Sequence, residues 1–271
     1  MPPPVVGLLH PGEMGAAVGA RLREAGHEVR WASAGRSAQT ARRARAAGLV
    51  DAGTVAALAD DADLVLSVCP PHAARDVAAA AGACRGVYVD CNAIAPVTVR
   101  ALGELLPHAR LVDGGIVGPP PETRARTRLY VSGPAAEEVR DRLDAALDVR
   151  VVPGDVGAAS ALKMAYAAWT KGTSALLLAA RGLARAEGVE AALLEEWALS
   201  QPDLQARSES AAAAAAAKGW RWEEEMRQID GALAAAGLPA GFGGAAAEVY
   251  ARAPRAGDLD AVLGALRARP G

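Results

Sequence analysis

VVGLLHPGEMG, Val5 to Gly15, decides how the first half of this chain folds. Val5 to Leu9 is a short apolar run with the character of a strand buried in a parallel sheet. It breaks at His10-Pro11-Gly12-Glu13-Met14-Gly15 and resumes as a helix through Ala25, ending at Gly26. A strand, a tight glycine turn and a helix aim backbone N–H groups and the positive end of the helix dipole at a phosphate. His10 stands where the first glycine of G-x-G-x-x-G belongs, while Gly12 and Gly15 hold the other two positions. The plainer reading of His10 is a turn residue with no part in chemistry.

Outward from the turn, a second strand, His27 to Ala32, runs into Ser33-Ala34-Gly35-Arg36-Ser37. A cofactor with a free ribose 2′-hydroxyl usually meets an Asp or Glu about 20 residues past the glycines, and none stands here. Ser33, Arg36 and Ser37 instead offer hydroxyls and a guanidinium, which suit a 2′-phosphate. NADP(H) is therefore expected over NAD(H), although an arginine just past a strand is often only solvated. Asp63 to Cys69 and Gly86 to Asp90 follow as strands at α/β spacing. Their ends, Cys69-Pro70-Pro71-His72 and Cys91-Asn92, fall where ligands sit in open parallel sheets. Asn92 can hydrogen-bond cofactor or substrate, or simply form its turn. Cys69 and Cys91 read as packing residues and His72 as a surface residue. Leu129 to Ser132 and Asp148 to Val152 are further strands, with a helix begun at Gly133-Pro134 between them.

Pro153-Gly154 marks a boundary. Beyond it GDVGAASALKMAYAAWTKGTSALLLAAR, Gly154 to Arg181, reads as one long helix after Gly157. Ser160, Lys163, Tyr166, Thr170 and Ser174 fall on one strip at ~100° per residue. The other faces are apolar, so the helix is expected to be buried with its polar strip facing a cleft. A lysine is seldom fully buried unless paired or functional. Lys163, with Tyr166 three residues on, is a candidate proton-transfer pair. The alternative is a lysine that snorkels to the surface beside a packed tyrosine. The remainder reads as helices, with a break at Gly237-Leu238-Pro239 and a small helix after Pro254. Trp197, Trp220 and Trp222 are expected to pack between helices or subunits.

Composition narrows the function. A chain of 271 residues fits two domains or one large α/β domain, and a net charge of −2 with interleaved signs argues against a nucleic-acid surface. No segment approaches ~18 uninterrupted apolar residues, so no membrane span is expected. MPPP lacks the basic start of a signal peptide. Cys69, Cys84 and Cys91 lack metal-ligand spacing, which suits a reduced, cytoplasmic chain without zinc. Arg124, Arg126 and Arg128 read as a solvated strand margin.

Five motifs in order carry a family resemblance: GLLHPGEMG (Gly7–Gly15), SVCPP (Ser67–Pro71), VDCNAIAP (Val89–Pro96), VDGGIVGPP (Val112–Pro120) and GDVGAASALKMAY (Gly154–Tyr166). They resemble the β-hydroxyacid dehydrogenase superfamily, which includes 6-phosphogluconate dehydrogenase and shares its architecture with imine reductases. The likeness is greatest to a bacterial branch with a distinctive C-terminal domain. The resemblance implies an α/β chain: a Rossmann domain with a parallel sheet over residues 1–153, then an all-α substrate and dimerisation domain over 154–271, opened by a long interdomain helix. It implies a homodimer and NADP(H)-dependent hydride transfer between nicotinamide and a carbonyl or hydroxyl carbon. Lys163 would be the general acid and base, with Tyr166 and Asn92 orienting the substrate or aiding proton transfer. The expected cofactor contacts are His10, Pro11, Gly12, Glu13, Met14, Gly15, Ser33, Arg36, Ser37, Cys69, Pro70, Pro71 and Asn92.

Three positions depart from the family pattern. Tyr166 stands where an Asn is common, and Val117 where a Ser usually helps hold a substrate carboxylate. Glu224-Glu225-Met226 stands where a Lys-Asp-Leu segment contacts the cofactor. Proton-transfer machinery is kept while carboxylate recognition is altered, so an ordinary small hydroxyacid is not the expected substrate. Reduction of a C=N bond is the second expectation: the lost Ser favours it, and the lysine disfavours it because an iminium already carries its charge. A nucleotide-binding protein without turnover is the third.

Overall fold

The structure is a computed structural model and describes residues 4–123 and 127–267, so Arg124 and Arg126 lie outside the described residues. The chain divides into two compact units, Met1–Lys163 and Met164–Gly271. The border lies past the break expected at Pro153-Gly154, inside a helix. Among the described residues no helix is long and apolar enough to cross a membrane.

The first unit alternates strands and helices: β1 (Val5–Leu9), α1 (Glu13–Glu24), β2 (Glu28–Trp31), α2 (Ala38–Ala46), β3 (Val50–Asp51), α3 (Val55–Asp61), β4 (Leu64–Ser67), α4 (Ala74–Ala80), β5 (Val87–Asp90) and α5 (Pro96–Ala101). Then come β6 (Arg110–Val117), β7 (Arg128–Ser132), α6 (Ala136–Leu143) and β8 (Asp148–Val151). The strands form one sheet in the order β3-β2-β1-β4-β5-β6-β7-β8. Successive side chains point to opposite faces, and each face has its own core. Val6, Leu8, Leu64, Leu66, Val87 and Val89 pack with Val18 and Leu22 of α1 and Val139 of α6. Leu9, Val65 and Tyr88 pack with Leu58 of α3, Val77 of α4 and Val99 of α5. Each fully buried Val or Leu contributes ~1.5–3 kcal/mol, which is why such short apolar runs hold a central sheet.

The expected parallel sheet holds through β6 and then changes. β6 and β7 pair antiparallel, and β7 and β8 pair parallel. A parallel return needs a crossover, usually through a helix. The β6–β7 link contains no helix among the described residues, so the chain doubles back, whereas α6 supplies the crossover to β8. Two strands escaped the sequence reading. β3 is too short to show a period, and β6 carries Gly114 and Gly115, which mask a strand pattern.

The helix α7 (Ala158–Ala186) begins in the first unit and continues into the second. The second unit adds α8 (Glu190–Ser200), α9 (Leu204–Ala235), α10 (Phe242–Arg252) and α11 (Leu259–Arg267). Buried Arg181 ties three of these helices together, donating to Glu190 at 2.8 Å and to the Ser208 hydroxyl at 2.6 Å. Trp197 is buried, Trp222 packs edge-on against Tyr250 with ring centres 5.1 Å apart, and Trp220 is half exposed. The expectation of an all-round buried α7 fails. Trp169, Leu176 and Leu183 are 69%, 69% and 64% exposed, and their spacing of seven puts them on one face. An apolar pattern says which residues avoid water, but not whether this chain has a surface to cover them.

Candidate active site

The turn after β1 is built around an unusual backbone. His10 has φ +71°, the one positive φ outside glycine among the described residues. Histidine is among the few side chains that tolerate that region, which is how it occupies a glycine position. The Gly12 N–H donates to the His10 carbonyl at 2.8 Å. A Cβ on Gly15 would lie 2.3 Å from that same carbonyl oxygen, so glycine is required there for α1 to approach the turn. A Cβ on Gly12 would meet nothing within 4 Å among the described residues. The N-cap of α1 is Gly12, which makes no side-chain cap bond, and the first turn of a helix carries backbone donors and the positive end of the helix dipole. That geometry fits a pyrophosphate. Burial and the nearby Arg36 guanidinium lower the His10 pKa to about 4, so its imidazole is neutral near pH 7.

At the neighbouring strand ends, Arg36 is partly buried, close enough for its charge to be felt at both His10 and Cys69. Ser37 caps α2, its hydroxyl accepting from Thr40 N at 3.2 Å. Asp51 ends β3 in register with Trp31, and its carboxyl is held below the usual range by the Gly53 N–H and the Ser33 hydroxyl. This is an acid beside Ser33 that the sequence reading missed. It lies well beyond the end of β2 in sequence and is brought there by strand pairing.

Four polar residues cross the middle of the sheet as register partners: Ser67 on β4, Asp90 on β5, Asp113 on β6 and Ser132 on β7. All are 0% exposed. Asn92, also buried, is bound into this row. Its Nδ2 donates to Ser67 Oγ at 3.1 Å and Asp90 Oδ2 at 2.7 Å, and its Oδ1 accepts from the Cys69 N–H at 2.6 Å. Both ends of the Asn92 amide therefore serve the protein, holding the chain that leads into exposed Pro70 and partly buried Pro71. Burial raises the Asp90 pKa to about 7; bonds from Asn92 oppose the rise, the Asp113 charge adds to it and Lys163 opposes it. Burial also pushes the Cys69 thiol up to about 12 and the Cys91 thiol upward, so neither is a nucleophile near neutral pH.

Asp113 carries the start of α7. Its Oδ2 accepts from Gly157 N at 2.9 Å and Ser160 N at 2.8 Å, and its Oδ1 accepts from Ser160 Oγ at 2.5 Å. Ser132 Oγ donates to Asp113 Oδ2 at 3.2 Å and accepts from Ala159 N at 3.0 Å. Lys163, one turn further on, is half-buried, and a Cβ on Gly115 would lie 3.1 Å from the Lys163 Cβ. The predicted polar strip thus divides along the helix. Ser160 is buried in the first unit and Tyr166 is 51% exposed. The Thr170 and Ser174 hydroxyls donate to the carbonyls of Tyr166 and Thr170, four residues back. The motifs around Asp90 and Asp113 were visible in sequence, but neither aspartate drew attention. In the second unit, Glu225 is buried and paired with Lys171, so its charge is neutralised, and Met226 is a core residue.

Residues 5–93 match the family described as NADP oxidoreductase, coenzyme F420-dependent. Residues 184–253 match a domain of unknown function, DUF1932. An uncharacterized 28.5 kDa protein of Methanothermus fervidus is 30% identical over 169 residues, 62% of this chain and 66% of that protein, so the chain spans just under two thirds of that relative. Among solved structures, the conserved protein MTH1747, of unknown function and similar in structure to 3-hydroxyacid dehydrogenases, is 30% identical. The match covers 97% of this chain and 100% of that one, with a TM-score of 0.75. The 3-hydroxyisobutyrate dehydrogenase of Mycobacterium tuberculosis, solved with L-serine, is 21% identical over 98% of this chain and 100% of that one, with a TM-score of 0.75.

Proposed function

We propose that this chain, which belongs to the 3-hydroxyacid dehydrogenase-like superfamily, is an NADP(H)-dependent oxidoreductase in which Lys163 is the general acid and base. The coarser class, a nicotinamide-dependent oxidoreductase, draws on the family match over residues 5–93 and the whole-length likeness. The observation that carries the assignment of the acid is the position of Lys163: one turn past a helix start bound to the sheet, within electrostatic reach of buried Asp90. NADP(H), when bound, supplies or takes the hydride at a carbonyl or hydroxyl carbon. The His10–Gly15 turn would hold its pyrophosphate, and Cys69, Pro70 and Pro71 would line the nicotinamide. Lys163 Nζ donates a proton to the substrate oxygen on reduction and receives it on oxidation. Tyr166 orients the substrate. Asn92 acts on the loop it holds, since its amide is already engaged.

Arg36 is the reason to favour NADP(H): a guanidinium suits a 2′-phosphate, with Ser33 and Ser37 beside it. Asp51 works against that preference, so the discrimination rests on Arg36. Val117 is buried where a Ser of the family binds a carboxylate, and Lys171 answers the charge of Glu225. A carbonyl compound without a carboxylate beside the reacting carbon is the substrate class this favours. In this reading residues 1–153 are the cofactor-binding domain, and residues 154–271 are the substrate and dimerisation domain of a homodimer. A groove of about 680 Å³ along α7, α9 and α10, lined by Trp169, Leu176, Leu233 and Phe242, supports a second copy as its cover. Three free cysteines suit a reducing cytoplasm.

Reduction of an imine is the second reading, favoured by buried, apolar Val117. NADPH oxidation by wild type and Lys163→Ala over keto acids, aldehydes and cyclic imines separates the two. Turnover of carbonyls that falls at least ~100-fold in the variant supports the dehydrogenase and its acid together. Turnover of imines alone, little changed in the variant, replaces it with the imine reductase. NADPH binding with no turnover of any substrate leaves a binding protein.

A further inference from the structure

Asp113 takes no part in the proton transfer proposed for Lys163, yet it is fully buried one helical turn away. The first four N–H groups of a helix lack partners within it, and a nearby Ser, Thr, Asp or Asn usually meets them. At the start of α7 the acceptors come from two other strands. Asp113 takes the N–H groups of Gly157 and Ser160, and Ser132 takes that of Ala159. The Ser160 hydroxyl adds a fourth bond, to the second oxygen of Asp113. Bonds from several donors offset the cost of burying a carboxyl group, and they fix its orientation. Gly115 completes the fit, since a Cβ there would lie 2.9 Å from the Ala159 carbonyl oxygen.

Such a cap does more than satisfy donors. A local cap moves with its helix, whereas this one locks the rotation and height of α7 to β6 and β7. We infer that Asp113, with Ser132 and Ser160, is a positioning residue that sets where the Lys163 ammonium reaches. The inference rests on the reading of Lys163 as the acid, and it assigns the buried row a part in the reaction beyond holding the fold.

A double-mutant cycle tests it. Asp113→Asn keeps the shape but turns an acceptor into a donor facing N–H groups, and it is measured in the wild-type and Lys163→Ala backgrounds. With a carbonyl substrate the expected outcome is a kcat about tenfold lower in the wild-type background, with KM and the NADPH Kd within about twofold. In the Lys163→Ala background the same change should alter kcat less than about twofold, because nothing remains to be positioned. Ser160→Ala, which keeps the carboxylate, should lower kcat about threefold and supplies the same cycle if Asp113→Asn does not fold. Equal losses in both backgrounds, or no loss in either, overturn the inference while leaving Lys163 as the acid. Wild-type turnover in Lys163→Ala itself overturns the acid assignment, and the positioning role with it.

Discussion

The N-termini of α1 and α7 are chemically alike and are used in opposite ways. Each begins at a glycine-containing turn beside the central sheet, with backbone donors that its own helix leaves unmet. At α1 the N-cap Gly12 makes no side-chain cap bond, and a Cβ there would meet nothing within 4 Å among the described residues. At α7, Asp113 and Ser132 reach across from the sheet and occupy the donors. The first arrangement is the one proposed to receive the cofactor pyrophosphate; the second uses a helix dipole to fasten the helix.

The sharpest way to break this contrast is within the α1 turn. Gly15→Ala places a methyl 2.3 Å from the His10 carbonyl oxygen, so the helix must shift. It should destabilise the chain by ~1–3 kcal/mol and weaken NADPH binding as well, read by urea denaturation and by cofactor fluorescence. Gly12→Ala meets nothing within 4 Å among the described residues and should leave the denaturation midpoint nearly unchanged while weakening NADPH about tenfold. Equal stability loss in both variants would show that the turn serves packing alone.

Arg36 sharpens the ligand side. Arg36→Ala should weaken NADPH about tenfold and leave NADH nearly unaltered, because the guanidinium is proposed to meet a phosphate only the former carries. Equal losses for the two cofactors, in parallel titrations, would remove the 2′-phosphate assignment and return weight to Asp51.

The smallest effects concern protons held at the two places. Asp90 has a folded pKa of about 7 against an ordinary 3.8, so the folded chain keeps a proton that the unfolded chain has released. Its contribution to stability is present below about pH 4 and is lost as pH rises toward 7. His10 runs the other way. Its folded pKa of about 4 lies below the ordinary 6.5, so its contribution is present above 6.5 and is lost as pH falls toward 4. The windows overlap and partly cancel in the wild type. Urea midpoints between pH 4 and 8 should therefore rise with pH in Asp90→Asn and fall with pH in His10→Asn. Parallel profiles in the two variants would contradict both assignments.

Much of this was legible in the residues. Val5–Leu9, the turn to Gly15 and the helix after it are short-range features, each carried by the side-chain period or by a glycine within a few positions. The start of α7 after Gly157 and its unbroken run through Arg181 were legible for the same reason, as was its lysine. Three things were not. Asp51 meets Ser33 through strand pairing. The reversal of β7 follows from a helix-free link whose direction no local pattern records. The exposure of Trp169, Leu176 and Leu183 depends on what covers the helix, which periodicity does not encode.

The sequence by itself determined the α/β alternation, the glycine turn after β1, and a long helix bearing Lys163, because these arise from neighbours along the chain. Only the tertiary structure decided what anchors the helix that bears Lys163. Ser67, Asp90, Asp113 and Ser132 come from four strands and form one row because the sheet register places them side by side. Register is settled by the packing of both sheet faces at once, so no stretch of sequence contains it.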